Sequence, residues 1–96
     1  MNKVIIYTIQ NCGFCLKLKE LLKENNIEFN EIDGDLPEND DKFSALYKVT
    51  NSYNVPTVIV KNSVLVPEIS FKTIDDGIKL ILKILNEEWK NMKVEC

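Results

Sequence analysis

Tyr7-Thr8-Ile9-Gln10-Asn11-Cys12-Gly13-Phe14-Cys15 leads out of a β-branched, aromatic run, Lys3 to Thr8, and into a segment of helical spacing. The run before it reads as a buried strand. Beyond it, Leu16, Leu18, Leu21 and Leu22 alternate with Lys17, Glu20, Lys23 and Glu24, giving an amphipathic helix from about Leu16 that Asn25-Asn26 ends. Two cysteines at this strand-to-helix junction lie on nearly the same face of a first helical turn. Unpaired N–H groups and the partial positive charge of the helix N-terminus favour a thiolate there. One sulfur can attack a disulfide while the other resolves the adduct. Cys12, at the helix mouth, is the expected nucleophile and Cys15 the resolving partner. The Cys12 thiol is expected to ionise below the ordinary value of about 8.5.

Further along, Ile27 to Ile32 is expected as a second strand, and Asp33 to Asp41, with Gly34 and Pro37, as a solvated polar loop. Phe43, Leu46 and Tyr47 have helical spacing and predict a second helix from about Asp40 to Ser52. Thr57 to Val60 and Val64 to Val66 read as strands of a hairpin across Lys61-Asn62-Ser63, with Pro67 tolerable after an edge strand. Ile74, Ile78, Ile81, Leu85, Trp89 and Met92 recur at steps of three and four and predict a long C-terminal helix. Its cap is Thr73, with Asp76 three residues on, or Ser70. The order strand, helix, strand, helix, strand, strand, helix describes one α/β domain over residues 1–96, with a four-stranded mixed sheet flanked by helices. A crossover through the first helix makes the first two strands parallel neighbours, and the hairpin adds an antiparallel edge.

Composition narrows the chemistry. The net charge is −3 and the 12 lysines are spread along the chain, so no nucleic-acid footprint is expected. Arginine and histidine are both absent, which removes guanidinium clamps, His triads and His metal sites. A zinc site needs four ligands, and beyond the cysteine pair only Cys96 and carboxylates could complete one, so no metal ligands are expected. The apolar runs are too short to cross a bilayer, and the N-terminus enters a strand with no signal-like segment, so no membrane association is expected. A cytoplasmic location is the expectation, and in that reducing compartment a Cys-x-x-Cys is catalytic or metal-binding before it is structural. Cys96 is expected to be an ordinary free thiol, Lys17 and Lys19 to be solvated, and Tyr7, Tyr47 and Tyr53 to belong to the core.

The residues Tyr7 to Cys15 after the first strand, together with Asn54-Val55-Pro56-Thr57 before the third, resemble the glutaredoxin family of the thioredoxin fold, over nearly the whole chain. The resemblance implies a cis Val55–Pro56 bond facing the dithiol, with the Val55 backbone pairing with a bound peptide or glutathione. Within the turn itself Gly13 and Phe14 are candidate substrate-facing residues, Phe14 as an exposed aromatic rim or else as a core residue, with its turn neighbours favouring the rim. Several positions depart from the family. Ile9 stands where a lysine commonly meets the glutathione carboxylate, and Val66-Pro67-Glu68-Ile69 replaces a Gly-Gly-acidic stretch that lets the backbone approach glutathione. Asn11 stands where thioredoxins carry tryptophan. The implied activity is that of a thiol–disulfide oxidoreductase and electron carrier in cell redox homeostasis, monomeric and without a tightly bound cofactor, acting on protein disulfides or glutathione mixed disulfides. Glutathione is one candidate donor. A thioredoxin-reductase-type flavoenzyme is the other, as in the hydrogen donors of ribonucleotide reductase. The alternative of another class is a [2Fe–2S] or metal carrier without turnover.

Overall fold

β-Branched residues and tight turns at asparagine build most of this architecture. The computed structural model describes the backbone of residues 4–95 and the side chains of 4–86. Lys3 and Cys96 lie outside these described residues, as do the side chains of Trp89 and Met92 in the predicted apolar stripe. The elements are β1 (Val4–Thr8), α1 (Gly13–Glu24), β2 (Asn30–Asp33), a 3-10 turn (Pro37–Asn39), α2 (Asp40–Thr50), β3 (Thr57–Val60), β4 (Ser63–Leu65) and α3 (Ile74–Glu95). The sheet order is β2-β1-β3-β4, with β1 and β2 parallel and the other pairs antiparallel. That is the predicted mixed sheet, with the hairpin at one edge.

The strand alternation sorts side chains to two faces. Val4, Ile6, Val58 and Val60 point to one face, where α1 contributes Leu18 and Leu22 and α3 contributes Ile74, Ile78 and Ile81. Ile6, Leu18, Leu22, Val58, Val60 and Ile81 are fully buried, so this face is the core. On the opposite face Tyr7 meets Phe43 of the second helix edge-to-face at 5.3 Å. Gly77 lets α3 approach closely, since a Cβ there would lie 3.1 Å from the Phe71 ring. No helix among the described residues is long and apolar enough to cross a membrane.

Several boundaries differ from those expected, each for a local reason. α1 begins at Gly13, not Leu16, because Cys12 itself is the N-cap. β2 begins at Asn30 where the sequence predicts Ile27, because Ile27 and Phe29 pack against the core before the chain enters the ladder. The Ile27 N–H instead closes the end of α1 on the Leu22 carbonyl at 2.9 Å, while Asn26 takes φ 58°. The segment 33–41 is only partly a solvated loop: Asp33 belongs to β2, Asn39 is buried, and its Nδ2 donates to the Asp33 carbonyl at 2.8 Å. α2 stops at Thr50, where Asn51 turns left-handed. In the hairpin Ser63 pairs with Val60, so the loop is Lys61-Asn62 alone, with Lys61 at φ 56°. Tyr53 is 76% exposed and stacks on Tyr47 at 4.1 Å, so it is not a core residue.

Candidate active site

The end of β1 delivers the chain to the site through Asn11, whose φ of 59° turns it sharply before Cys12. Asparagine tolerates that left-handed conformation better than most residues. Cys12 then caps α1. Its backbone is extended at φ −103° and ψ 106°, and its sulfur accepts a hydrogen bond from the Cys15 N–H at 3.1 Å. The cap interaction holds the Cys12 sulfur against the free N–H groups of the helix end, the position that favours negative charge on it.

Cys12 and Cys15 are joined in a disulfide, with their Cα atoms 5.2 Å apart. Their surroundings differ. Cys15 is 2% exposed and packs inward on α1, whereas Cys12 is half-buried and faces a groove of about 560 Å³. Ile9, Gln10, Gly13 and Leu16 line that groove beside the cysteines, and Lys19, Glu31 and Asp33 form its far wall. Gly13 has open space around it, since a Cβ there would meet nothing within 4 Å.

The remaining expected residues gather in a second, smaller hollow of about 60 Å³, lined by Phe14, Val55, Pro56, Pro67, Glu68 and Phe71, among others. The Val55–Pro56 bond is cis, as the resemblance implies. Phe14 is 66% exposed, on the rim and not in the core. The segment 12–15 therefore separates two hollows, with Cys12 and Gly13 opening to one and Phe14 to the other.

The far wall is what the sequence reading missed. Thr8 is buried and donates its hydroxyl to Glu31 Oε2 at 2.6 Å, and Lys19 Nζ reaches the two Glu31 oxygens at 3.1 and 3.3 Å. Asp33 Oδ1 accepts the Asp35 N–H at 2.9 Å, and Asp35 Oδ2 accepts the Gln10 N–H at 2.6 Å. The available signal was the parallel pairing of β1 and β2. It sets Asp33 opposite Thr8, and so brings the end of β2 beside the loop that carries the cysteines. Lys17 pairs with Asp75 at 3.7 Å, so both lysines predicted to be solvated have acidic partners.

Comparison with known proteins agrees with this geometry. The chain is 32% identical over 63 residues to the mitochondrial glutaredoxin-2 of Pongo abelii, covering 65% of this chain and 39% of that protein. It is 31% identical over 62 residues to glutaredoxin 1 of Rickettsia felis, covering 65% of this chain and 61% of that protein. The matches thus span between two fifths and about three fifths of these relatives' length. Among solved structures, the thioredoxin-like protein BC3987 superposes with a TM-score of 0.65 at 25% identity, over 82% of this chain and 99% of that one. The family model described as Glutaredoxin matches residues 4–65, from the first strand through the dithiol and the cis proline to the end of the hairpin, and the chain belongs to the glutaredoxin family.

Proposed function

We propose that this chain is a dithiol thiol–disulfide oxidoreductase in which Cys12 is the attacking residue and Cys15 the resolving one. The observation that carries this is the bonded pair at the N-terminus of α1, with Cys12 open to a groove and Cys15 buried behind it. In the reduced protein the Cys12 thiolate attacks one sulfur of a substrate disulfide. A mixed disulfide forms and the other substrate sulfur leaves as a thiolate. Cys15, having lost its proton to solvent, then attacks the Cys12 sulfur, releasing the second substrate thiolate and closing the internal disulfide. Two electrons pass to the substrate, and the two protons lost by the cysteines balance those taken up by the product thiols. The cap N–H and the helix end favour the Cys12 thiolate throughout. Phe14, Val55 and Pro56 form the surface on which the substrate backbone would lie.

Reopening the internal disulfide requires a donor: glutathione, as the family resemblance implies, or a thioredoxin-reductase-type flavoenzyme. The region beside the cis proline favours the second. Pro67 has no N–H to offer, the Glu68 N–H is already committed to the Phe71 carbonyl at 2.8 Å, and Glu68 is held at φ 72°. Ile9, 42% exposed in the groove, provides no cation for a glutathione carboxylate. We place the protein in a reducing compartment, consistent with a cytoplasmic role, because its dithiol would have to be regenerated there.

The deciding assay is reduction of a glutathione mixed disulfide coupled to glutathione and glutathione reductase, run on wild type, Cys15→Ser and Cys12→Ser. Turnover by wild type and Cys15→Ser makes glutathione the donor and Cys12 sufficient. No turnover by either, with protein-disulfide reduction supported by thioredoxin reductase, makes the flavoenzyme the donor. A Cys12→Ser protein as active as wild type in either system would end the proposal. The purified protein is expected to be colourless; visible iron–sulfur absorption would favour a cluster carrier instead.

A further inference from the structure

We propose that the groove beside Cys12 selects disulfides flanked by positive charge, such as those in lysine- or arginine-rich polypeptide segments, and disfavours anionic disulfides. This inference rests on the oxidoreductase reading above and names the substrate class of that same site.

The groove's charge follows from its residues. Glu31 and Asp33 line it, and Asp35 sits at its edge, its carboxylate on the Gln10 N–H two residues before Cys12. Lys19 is the one cation among the residues that line the groove, and both Glu31 oxygens lie within 3.3 Å of it. That pair is close to neutral as seen by an approaching substrate, which leaves Asp33 and Asp35 without a matching cation in the groove. Both carboxylates are anchored: Asp33 holds the Asp35 N–H and Asp35 holds the Gln10 N–H, so they are ordered before the substrate arrives. Charges fixed in advance at the mouth of a reacting groove act on encounter rates, where complementary fields are worth tenfold or more.

The asymmetry of the molecule sharpens this. A separate shallow groove, along Ile69 to Lys72 and α3, carries Lys72 and Lys79 beside Asp76. The dithiol opens on the acidic side and not on this one. A substrate bearing ammonium or guanidinium groups next to its disulfide gains at Asp33 and Asp35, and it also offsets their repulsion of the thiolate that develops on the leaving substrate sulfur. Glutathione disulfide carries more carboxylates than ammonium groups and meets the opposite field.

The test uses single-turnover oxidation of the reduced full chain by three small disulfides: cystamine (cationic), bis(2-hydroxyethyl) disulfide (neutral) and dithiodipropionate (anionic). Each rate is divided by that of β-mercaptoethanol with the same disulfide, which removes intrinsic reactivity. For wild type at low salt, the normalised cation-to-anion ratio is expected to be about ten or more, the lower end of electrostatic steering. It should fall towards one at high salt, where exposed charges are screened. In the Asp33→Asn/Asp35→Asn protein, whose amide oxygens can still accept both backbone N–H groups, the low-salt ratio should drop several-fold. A wild-type ratio near one at low salt, or one insensitive to salt, overturns the inference even if the double variant does not fold; so does a folded variant with the wild-type ratio. Reduction of the neutral disulfide with a ratio of one leaves the oxidoreductase function intact and removes only the charge selection. Failure to reduce even the neutral disulfide would end both.

Discussion

Cys12 and Cys15 are the same residue type a turn apart, yet they differ in exposure, and the proposed roles rest on that difference. In the reduced protein, alkylation by a small electrophile followed by peptide mapping should modify Cys12 well before Cys15, because Cys12 is half-buried whereas Cys15 is 2% exposed. Equal rates would contradict the assigned roles. Gly13 lends itself to a different test. It occupies the first helical position, follows a residue already extended, and has open space where a side chain would go. Those are the conditions under which proline fits a helix start. Gly13→Pro should raise stability by about 0.4–1 kcal/mol by restricting the unfolded chain, seen as a higher urea midpoint at unchanged slope. A lower midpoint would mean that the turn needs the glycine. While the cis Pro56 was an implication of the family resemblance, the cysteine pair and the exposed Phe14 were legible in the sequence itself, because they share one local motif. Asp33 and Asp35 were not, because their importance comes from a neighbouring strand and not from their own surroundings.

At the level of elements, the C-terminal helix was the most legible. Ile74, Ile78 and Ile81 are buried as their spacing predicts, and of the two candidate caps Thr73 accepts the Asp76 N–H at 3.1 Å. Ser70 instead accepts the Val66 N–H and ties down the loop before the helix. Thr73→Ala should therefore cost about 1 kcal/mol in chemical denaturation, the usual loss of an N-cap, and Thr73→Ser much less. The second strand and the hairpin were read less well. Alternating Ile27 and Phe29 imitate a strand although they pack at its approach, and the hairpin turn places Lys61 at a positive φ where a glycine would have announced it. The turn after β2 is tight for a reason the sequence does show, once Phe43 is placed. A Cβ on Gly34 would come within 2.8 Å of that ring, which itself packs on Tyr7. Gly34→Ala is expected to cost about 1–3 kcal/mol through overpacking. It should also disturb the groove, because Asp33 and Asp35 flank that glycine. A variant as stable as wild type would show that Phe43 can move aside freely.

For the whole molecule, the question is how far the fold depends on the bond that the proposed chemistry breaks and remakes. The core cluster runs from Val4 and Ile6 through Leu18, Leu22, Val58 and Val60 to Ile78 and Ile81, and contains neither cysteine. Cys15 is buried at one end of α1, but the helix is held by Leu18 and Leu22 further along, and its far end is closed by Asn25 and Asn26. The disulfide closes a loop of only a few residues, for which chain entropy gives about 2 kcal/mol. Set against this, a reduced Cys12 thiolate gains from the cap N–H and the helix end, interactions that are worth less to a neutral disulfide sulfur. The two effects have opposite signs, so the net loss on reduction should be smaller than the entropy figure alone. Thermal unfolding of the oxidised and reduced forms should thus differ by less than roughly 10 °C, with one cooperative transition in each. On the proposed mechanism the chain must fold in both states, since each cycle would pass through both. If reduction abolished the cooperative transition, the dithiol would be a structural staple, and the division between a self-sufficient core and a reactive helix end would be wrong.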